Sequence, residues 1–393
     1  MSWQAYSTVS VTGAQKDRLP VADFPWAVAL SASAEGSVTV KRDAMDVTDA
    51  QFEDLIAAWK RTIVLEYDGV VRYAGMVMND TQVDRGVKLD LCDIWGIWQR
   101  RGAWDRTAEN IATWKVAYTG LSLPTLAKRA VQRGITGSAA PPSALPITFE
   151  ADVPGTLDRE YFGYHLEHVA DVLDDLALEG VKIDFPPRWL DGKLDFQMVT
   201  NPAPGFHEFW VNAPKGEGIT SFRRVQDGAK MTNNSIFVGE GAEAAMLIRY
   251  QADESSDLPL LDRIDSRKYV TDGAQLQNLA NEGAIVYGPP TDAWSFDLLA
   301  TPNPEEGWGG VSSVRLGDIV RLWFAGHWRI PDGFYDRRVT RIEGSLAEKF
   351  TVTVQPTVAS GGVDHTDARQ ELDRLQRRVK ALETASPMNH TSV

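Results

Sequence analysis

Cysteine is almost missing from this chain: among 393 residues, only Cys92 carries a thiol. An intrachain disulfide is therefore excluded, and so is a zinc site built on two cysteines. Cys92 ends a strand-like run after Leu89 and Leu91, which reads as a buried structural thiol. A clustered basic surface is missing too. The chain has 40 Lys and Arg against 54 Asp and Glu, a net charge of −14. Its only basic run lies near the C-terminus, so no stable nucleic-acid binding is expected. Passage of nucleic acid along a neutral or acidic wall is compatible with this balance. No apolar run approaches the ~20 residues of a membrane helix. The start, Met1 to Tyr6, lacks the charged and apolar regions of a secretory signal. The expectation is a chain made in a cytoplasm, neither secreted nor transmembrane.

The motifs of common catalysts are absent: no G-x-S-x-G elbow, Walker loop, G-x-G-x-x-G or H-E-x-x-H occurs. His165 and His168 stand three apart on a predicted helix, and no third ligand is evident, so they read as surface histidines. Asp174-Asp175 and Glu305-Glu306 are adjacent pairs whose side chains diverge, and they read as solvated charge. No cofactor, metal site or catalytic residue is expected. The two facing carboxylates of a glycosidase would not be visible in a sequence.

Tryptophan is what the chain has in excess, at 13 residues, and large aromatics of this kind mainly build cores and interfaces. Strand patterns cover Ser7–Val11, Phe24–Ser31 and Ser37–Lys41, with a turn at Ala34-Glu35-Gly36. Thr48 and Gln51 have capping-box spacing ahead of Phe52, Leu55, Ile56 and Trp59, one helical face. A meander follows: Thr62–Tyr67, an Asp68-Gly69 hairpin turn, Val70–Met78, then Val87–Asp93. Trp95, Trp98 and Trp104 close it.

The middle of the chain is more helical. Leu123–Gln132 has Pro124 near its start and Gly134 after its end. Tyr164–Glu179 carries the stripe Leu166, Val169, Ala170, Leu173, Leu176 and Ala177, stopped by Gly180. Strands are predicted at Lys182–Phe185 and Lys193–Thr200. Asp272 caps a short helix with Leu276, Leu279 and Ala280 on one face. The predicted strands Ala284–Tyr287, Trp294–Thr301, Asp318–Ala325, Tyr335–Glu343 and Lys349–Gln355 complete the body. The last three repeat the strand order and rough spacing of the first meander. A duplicated barrel would give this, and so would any two meanders.

After Gly361-Gly362, the residues Ala368, Leu372, Leu375, Val379 and Leu382 recur at spacings of 4, 3, 4 and 3. This is a coiled-coil seam, with Leu372 and Val379 at a and the others at d. Arg378 at g faces Glu383 at e′, an attractive interhelical pair, and Pro387 stops the helix. A lone amphipathic helix docked on its own domain is the alternative. With fewer than three heptads, the segment is marginal alone.

The fold class expected is thus α+β and β-rich, with two barrel-like β domains, a helical α+β middle domain and a short C-terminal coiled-coil helix. The expected segments are 1–105 for the first barrel, 106–205 for the middle domain, 206–360 for the second barrel and 361–393 for the coiled coil and tail.

A series of runs, in order, then carries a family resemblance. They are Arg61–Gly75, the Trp-rich Asp93–Arg101, Val169–Ala177, Ile183–Trp189, Leu194–Met198, Pro259–Ile264, Leu276–Ala280, Gly317–Leu322 and Ile330–Val339. Together they resemble the tail-hub, or minor tail, proteins of siphophages of actinobacteria, related to myophage baseplate hub proteins. The likeness spans about residues 20–357.

It implies a homotrimer at the virion tail tip, giving a pseudo-sixfold ring. Such a ring would mate with a distal tail protein ring, and with tip or receptor-binding proteins. The tape-measure protein and genomic DNA would have to pass it. The peptidase or lysozyme extension of some relatives has no counterpart here. The leading function is therefore a non-catalytic structural hub with a part in genome ejection. Two alternatives are a receptor- or carbohydrate-binding tail protein using exposed Trp, and a tail-associated cell-wall hydrolase with dispersed carboxylates.

Overall fold

The computed structural model describes residues 3–84, 86–105, 110–136, 144–211, 219–229, 231–241, 245–252, 258–266, 272–288, 290–299, 314–346 and 349–356. The chain divides into two compact units: Met1–Phe222 with Ser295–Val354, and Arg223–Trp294 with Gln355–Val393. The protein is β-rich.

One long sheet dominates. Its strands run in the order Ile219–Asp227, Thr291–Leu299, Lys349–Pro356, Gly333–Gly344, Trp26–Ala29, Glu35–Lys41, Gly86–Cys92, Val70–Val83, Arg61–Tyr67, Trp3–Val9 and Gln15–Leu19. Ile319–Phe324 branches from Gly333–Gly344 and carries Phe206–Val211, while Val21–Asp23 adds to Glu35–Lys41. Both sequence meanders are thus sets of neighbouring strands within this sheet. Trp26–Ala29 and Glu35–Lys41 join them, with Arg341–Gly344 antiparallel to Trp26–Ala29.

The expected pair of barrels is corrected here: among the described residues, no sheet closes on itself. Alternation fixes which side chains of a hairpin face inward. Closure depends on tilt and stagger between strands, which alternation does not encode.

Local chemistry explains the elements that the sequence predicts. Helix α1, Asp49–Ile56, begins with the full capping box: Gln51 N–H donates to Thr48 Oγ1 at 3.3 Å, and Thr48 N–H donates to Gln51 Oε1 at 2.9 Å. Such a cap contributes about 1 kcal/mol. Phe52, Leu55 and Ile56 are buried, but Trp59 lies past the helix at φ 60°, 38% exposed, with Arg100 4.8 Å above its ring. Asp68 and Gly69 have φ of 50° and 80°. Two successive left-handed residues are what a two-residue hairpin needs.

Asp93 caps the short helix α2, Ile94–Trp98, and also takes hydrogen bonds from Ser33 Oγ at 2.9 Å and Ala34 N–H at 2.6 Å. Trp95 and Trp98 then enter a core with Val64 and Met76 of the sheet. The same core includes Val131 of α3 (Leu123–Ile135), Val169 and Leu173 of α4 (Val169–Leu178), and Phe196.

Three predicted boundaries move. Gly134 does not end its helix: it lies inside α3, where a Cβ would stand 2.9 Å from Val169 Cγ2. The glycine is there for close approach between α3 and α4. The long stripe does not start at Leu166, which has φ 51° and is 58% exposed. Ala103 N–H donates to Glu167 O and Val169 N–H to Arg101 O, so strand-like pairing replaces the first helical turn. Ala284–Tyr287 is not a strand but the end of α5, Gly273–Tyr287, capped by Asp272. A short apolar run does not separate the two states by periodicity.

In the second unit, Asn234–Val238 pairs antiparallel with Ile248–Ala252 and parallel with Asp262–Ser266. Phe237, Leu276 and Ala280 form its core. The expected coiled-coil segment, 361–393, lies outside the described residues. No described helix is long and apolar enough to cross a membrane.

Candidate assembly surfaces

The seam residues Ala368, Leu372, Leu375, Val379 and Leu382, and the pair Arg378 and Glu383, lie outside the described residues. So does Glu305-Glu306. His165 and His168 do not share a helical turn. His165 ends the 3-10 turn Gly163–His165, and His168 is the N-cap of α4, with the left-handed Leu166 between them. Among the described residues, no three His, Cys, Asp or Glu side chains gather as metal ligands. Burial pushes the Cys92 thiol up to about 11, which leaves it unreactive at neutral pH.

Two surfaces of the first unit stand out instead. The first is polar. Trp26–Ala29 and Glu35–Lys41 pair only at Trp26–Gly36, and an open cleft of about 780 Å³ lies where the two meanders meet. Glu35, Ser37, Asn79, Lys88, Asp90, Arg341, Glu343 and Thr351 line it. Arg341 Nε is ion-paired with Glu343 at 3.0 Å. Thr351 Oγ1 donates to Asp297 at 2.8 Å, and Ser221 Oγ donates to the same carboxylate at 2.7 Å, which carries the polar face across three strands. In the cleft, three acids, Glu35, Asp90 and Glu343, stand against Lys88 and Arg341, and Asp297 lies beyond it, bonded to Thr351.

The second surface is aromatic. Phe206–Val211 runs parallel to Ile319–Phe324, which is antiparallel to Gly333–Gly344. The register aligns three outward rows: Trp210, Trp323 and Phe334; Glu208, Arg321 and Asp336; Phe206, Ile319 and Arg338. Ring centroids lie 5.2 Å apart for Trp210–Trp323 and 4.4 Å for Trp323–Phe334. Arg321 grips Asp336 with two bonds of 2.7 and 3.0 Å, and its guanidinium lies 4.9 Å from the Phe206 ring. The hydrogen bonds from Arg321 hold the Asp336 carboxyl below its usual range.

On the opposite face, Phe209, Val320, Leu322 and Phe324 are buried, with Phe209 5.8 Å from Phe296. Asp318 fixes the start of the arrangement. It accepts Gly205 N–H at 2.7 Å and Arg315 N–H at 2.8 Å, and pairs with His207 Nε2 at 3.0 Å.

The hairpin loop after Phe324 displays Trp328, 87% exposed, on a built turn. Gly326 N–H donates to Asp332, and His327 Nδ1 accepts from Arg329 and Ile330 N–H, while Ile330 is buried. Sequence reasoning missed both the aromatic rows and this tip. The alternation in Phe206–Val211 was the available signal for the former.

No protein-family model matches the chain, and no curated protein sequence matches it. Solved structures do. The 43 kDa tail protein of prophage MuSo2 from Shewanella oneidensis aligns with a TM-score of 0.53 and 10% identity, over 90% of this chain and 98% of that one. The tail protein from Neisseria meningitidis MC58 aligns at 0.50 and 13% identity, over 94% and 99%. This chain has the fold of those tail proteins. At such identities the likeness is one of fold. It runs through both units of this chain and through nearly the whole of each tail protein.

Proposed function

We propose that this protein is a structural subunit of a phage tail tip: a non-catalytic, homotrimeric tail hub of the siphophage type. It caps the tail tube, anchors tip or fibre proteins and takes part in genome ejection. The observation that carries the reading is the end-to-end match of fold with two tail proteins. The polar face adds support. A ring around a conduit needs a wall to which DNA does not adhere, since each Lys–phosphate contact adds salt-dependent affinity. Three acids against two bases in the cleft suit that role.

In this reading, the segments 1–105 and 206–360 act as the two tube-like modules of each subunit, 106–205 supports them, and 361–393 ties three copies together. The partners are a distal tail protein ring, the tape-measure protein and tip or receptor-binding proteins, with DNA in passage only. Gold labelling of a tagged copy in intact virions tests the location, and the mass of the purified chain tests the trimer. Label along the tail shaft or on the capsid would overturn the reading.

Trp328 favours one second reading, a receptor- or carbohydrate-binding tail protein. Exposed Trp supplies large contact area at low entropy cost. Saturable binding of host wall glycan, lost in Trp328→Ala, would move the choice to that reading.

A further inference from the structure

Two of the edge strands of this branched sheet, Gln15–Leu19 at one end of the main order and Phe206–Val211 at the tip of the branch, are built differently. Gln15–Leu19 is a managed edge: Gln15, Lys16, Asp17 and Arg18 are exposed, and the pairing with Trp3–Val9 skips Lys16. Charges and a bulge of this kind discourage further strand pairing. Phe206–Val211 is the reverse. Its sequence, Phe-His-Glu-Phe-Trp-Val, has no Pro or Lys, its register with Ile319–Phe324 is unbroken over six pairs, and among the described residues it pairs on one side only. A long, regular, aromatic edge left bare is an aggregation hazard.

The outward rows say what would cover it. Two of them end at this edge on aromatic rings: Phe206, 54% exposed, and Trp210. The middle row alternates in sign, negative Glu208, positive Arg321 and negative Asp336. Arg321 spends its two bonds on Asp336. Glu208, half-buried at the rim, feels the charge of Arg321 but makes no side-chain hydrogen bond among the described residues. A strand added here places its own side chains in line with the three rows. An apolar residue would continue each aromatic row, and a basic residue beside Glu208 would complete the alternation.

We propose that Phe206–Val211 is a docking edge that accepts an extended strand from a different tail protein, with outward side chains in the order apolar, basic, apolar. The inference deepens the hub reading and rests on it for the existence of a neighbour. Strand addition supplies affinity through main-chain hydrogen bonds, and the alternate side chains supply choice. Asp318 holds the start of the edge from the core side, so the strand is pre-organised before any partner arrives.

The test uses the full chain and two capped, fluorescein-labelled peptides, TVTKTVT and TVTETVT, followed by fluorescence anisotropy. The lysine peptide is expected to bind at least about fivefold more tightly, the factor that about 1 kcal/mol of rim electrostatics gives. Glu208→Lys should reverse the preference. Phe206→Ser, at an exposed position that leaves the core intact, should weaken both peptides.

Equal binding of the two peptides, or no saturable binding of either up to about 1 mM, a range that admits affinities as weak as about −4 kcal/mol, would overturn the proposal. A self-associated chain that the lysine peptide dissociates would assign the edge to a second copy, and so overturn the hetero-partner. The location of the protein in virions is measured separately, so a failed hub reading and a failed docking edge remain distinguishable.

Discussion

Asp184→Asn is expected to stabilise the protein most where the wild-type carboxyl is ionised. Asp184 borders a small, half-open pocket of about 40 Å³ shared with Val28, Tyr73, Asp93, Trp95 and Phe196. Its carboxylate accepts Phe185 N–H at 2.8 Å, and burial pushes its pKa from 3.8 to about 6. A carboxyl harder to ionise folded than unfolded penalises the fold wherever the unfolded chain is ionised. The penalty is absent below about pH 3.8, grows with rising pH, and is complete above about 6. At about 1.4 kcal/mol per pH unit, it reaches about 3 kcal/mol.

Asn keeps an oxygen for Phe185 N–H but adds an NH2 group, whose burial unmatched costs about 1–3 kcal/mol. That cost does not vary with pH, so the pH profile isolates the charge. Asp93, also pushed up by burial, titrates in both proteins. Urea midpoints read by tryptophan fluorescence should show the variant gaining about 2–3 kcal/mol on the wild type between about pH 4 and pH 8. A difference that stays flat across that range refutes the reasoning.

Gly134→Ala should lower stability by about 1 kcal/mol. The helix propensity gain of about 1 kcal/mol is outweighed by overpacking of about 1–3 kcal/mol, because the new Cβ meets Val169 at 2.9 Å and Trp98 at 3.3 Å, both fully buried; a raised unfolding midpoint would count against it. Leu375→Asp puts a charge at a d position of the expected seam, a cost of several kcal/mol, and should turn a trimer into monomers by mass; unchanged mass and unchanged incorporation into tails would rule out the seam. Asp297→Lys combined with Glu343→Lys turns the polar face from acidic to basic, and should slow DNA release most at low salt; release at the wild-type rate in low salt would remove this face from the conduit.

The sequence was most legible where a local signal is chemically complete. The capping box at Thr48, the Asp68-Gly69 turn and Lys193–Thr200 each stand where the pattern puts them. It was least legible where the outcome depends on a neighbour distant in the chain. Gly134 looks like a helix stop until Val169 is known to press against it. Leu166 fits the helical stripe, yet Gly102 bridges to His168 and draws the chain out as a strand.

The aromatic rows need three strands, two of them more than a hundred residues after the first. Alternation in Phe206–Val211 marks two faces but does not say that the outward one gathers Trp323 and Phe334. The β-rich character survived these errors because period and turn chemistry set it. Closure into barrels did not, because strand tilt and stagger are properties of the whole sheet.

An open, branched sheet must deal with its faces and its several edges, and this one treats two of those edges unequally. Phe209, Leu322 and Phe324 are buried near one end and Val64 and Met76 near the other, and Met76 shares its cross-strand row with Glu35 of the polar cleft. The cleft beside them is lined instead by hydroxyls and by charges of both signs, with acids in excess. At the edges, Gln15–Leu19 carries charge and a bulge, so it repels further strands without help from any partner. Phe206–Val211 carries three aromatic residues and, among the described residues, a ladder open on one side. A chain that acted alone would gain by blunting both edges, since an unguarded one promotes indiscriminate pairing. Leaving one edge aromatic while guarding the other is coherent when the protein's working state is an assembly that covers the unguarded edge. The asymmetry between these two edges is therefore the feature that the proposed docking strand would explain.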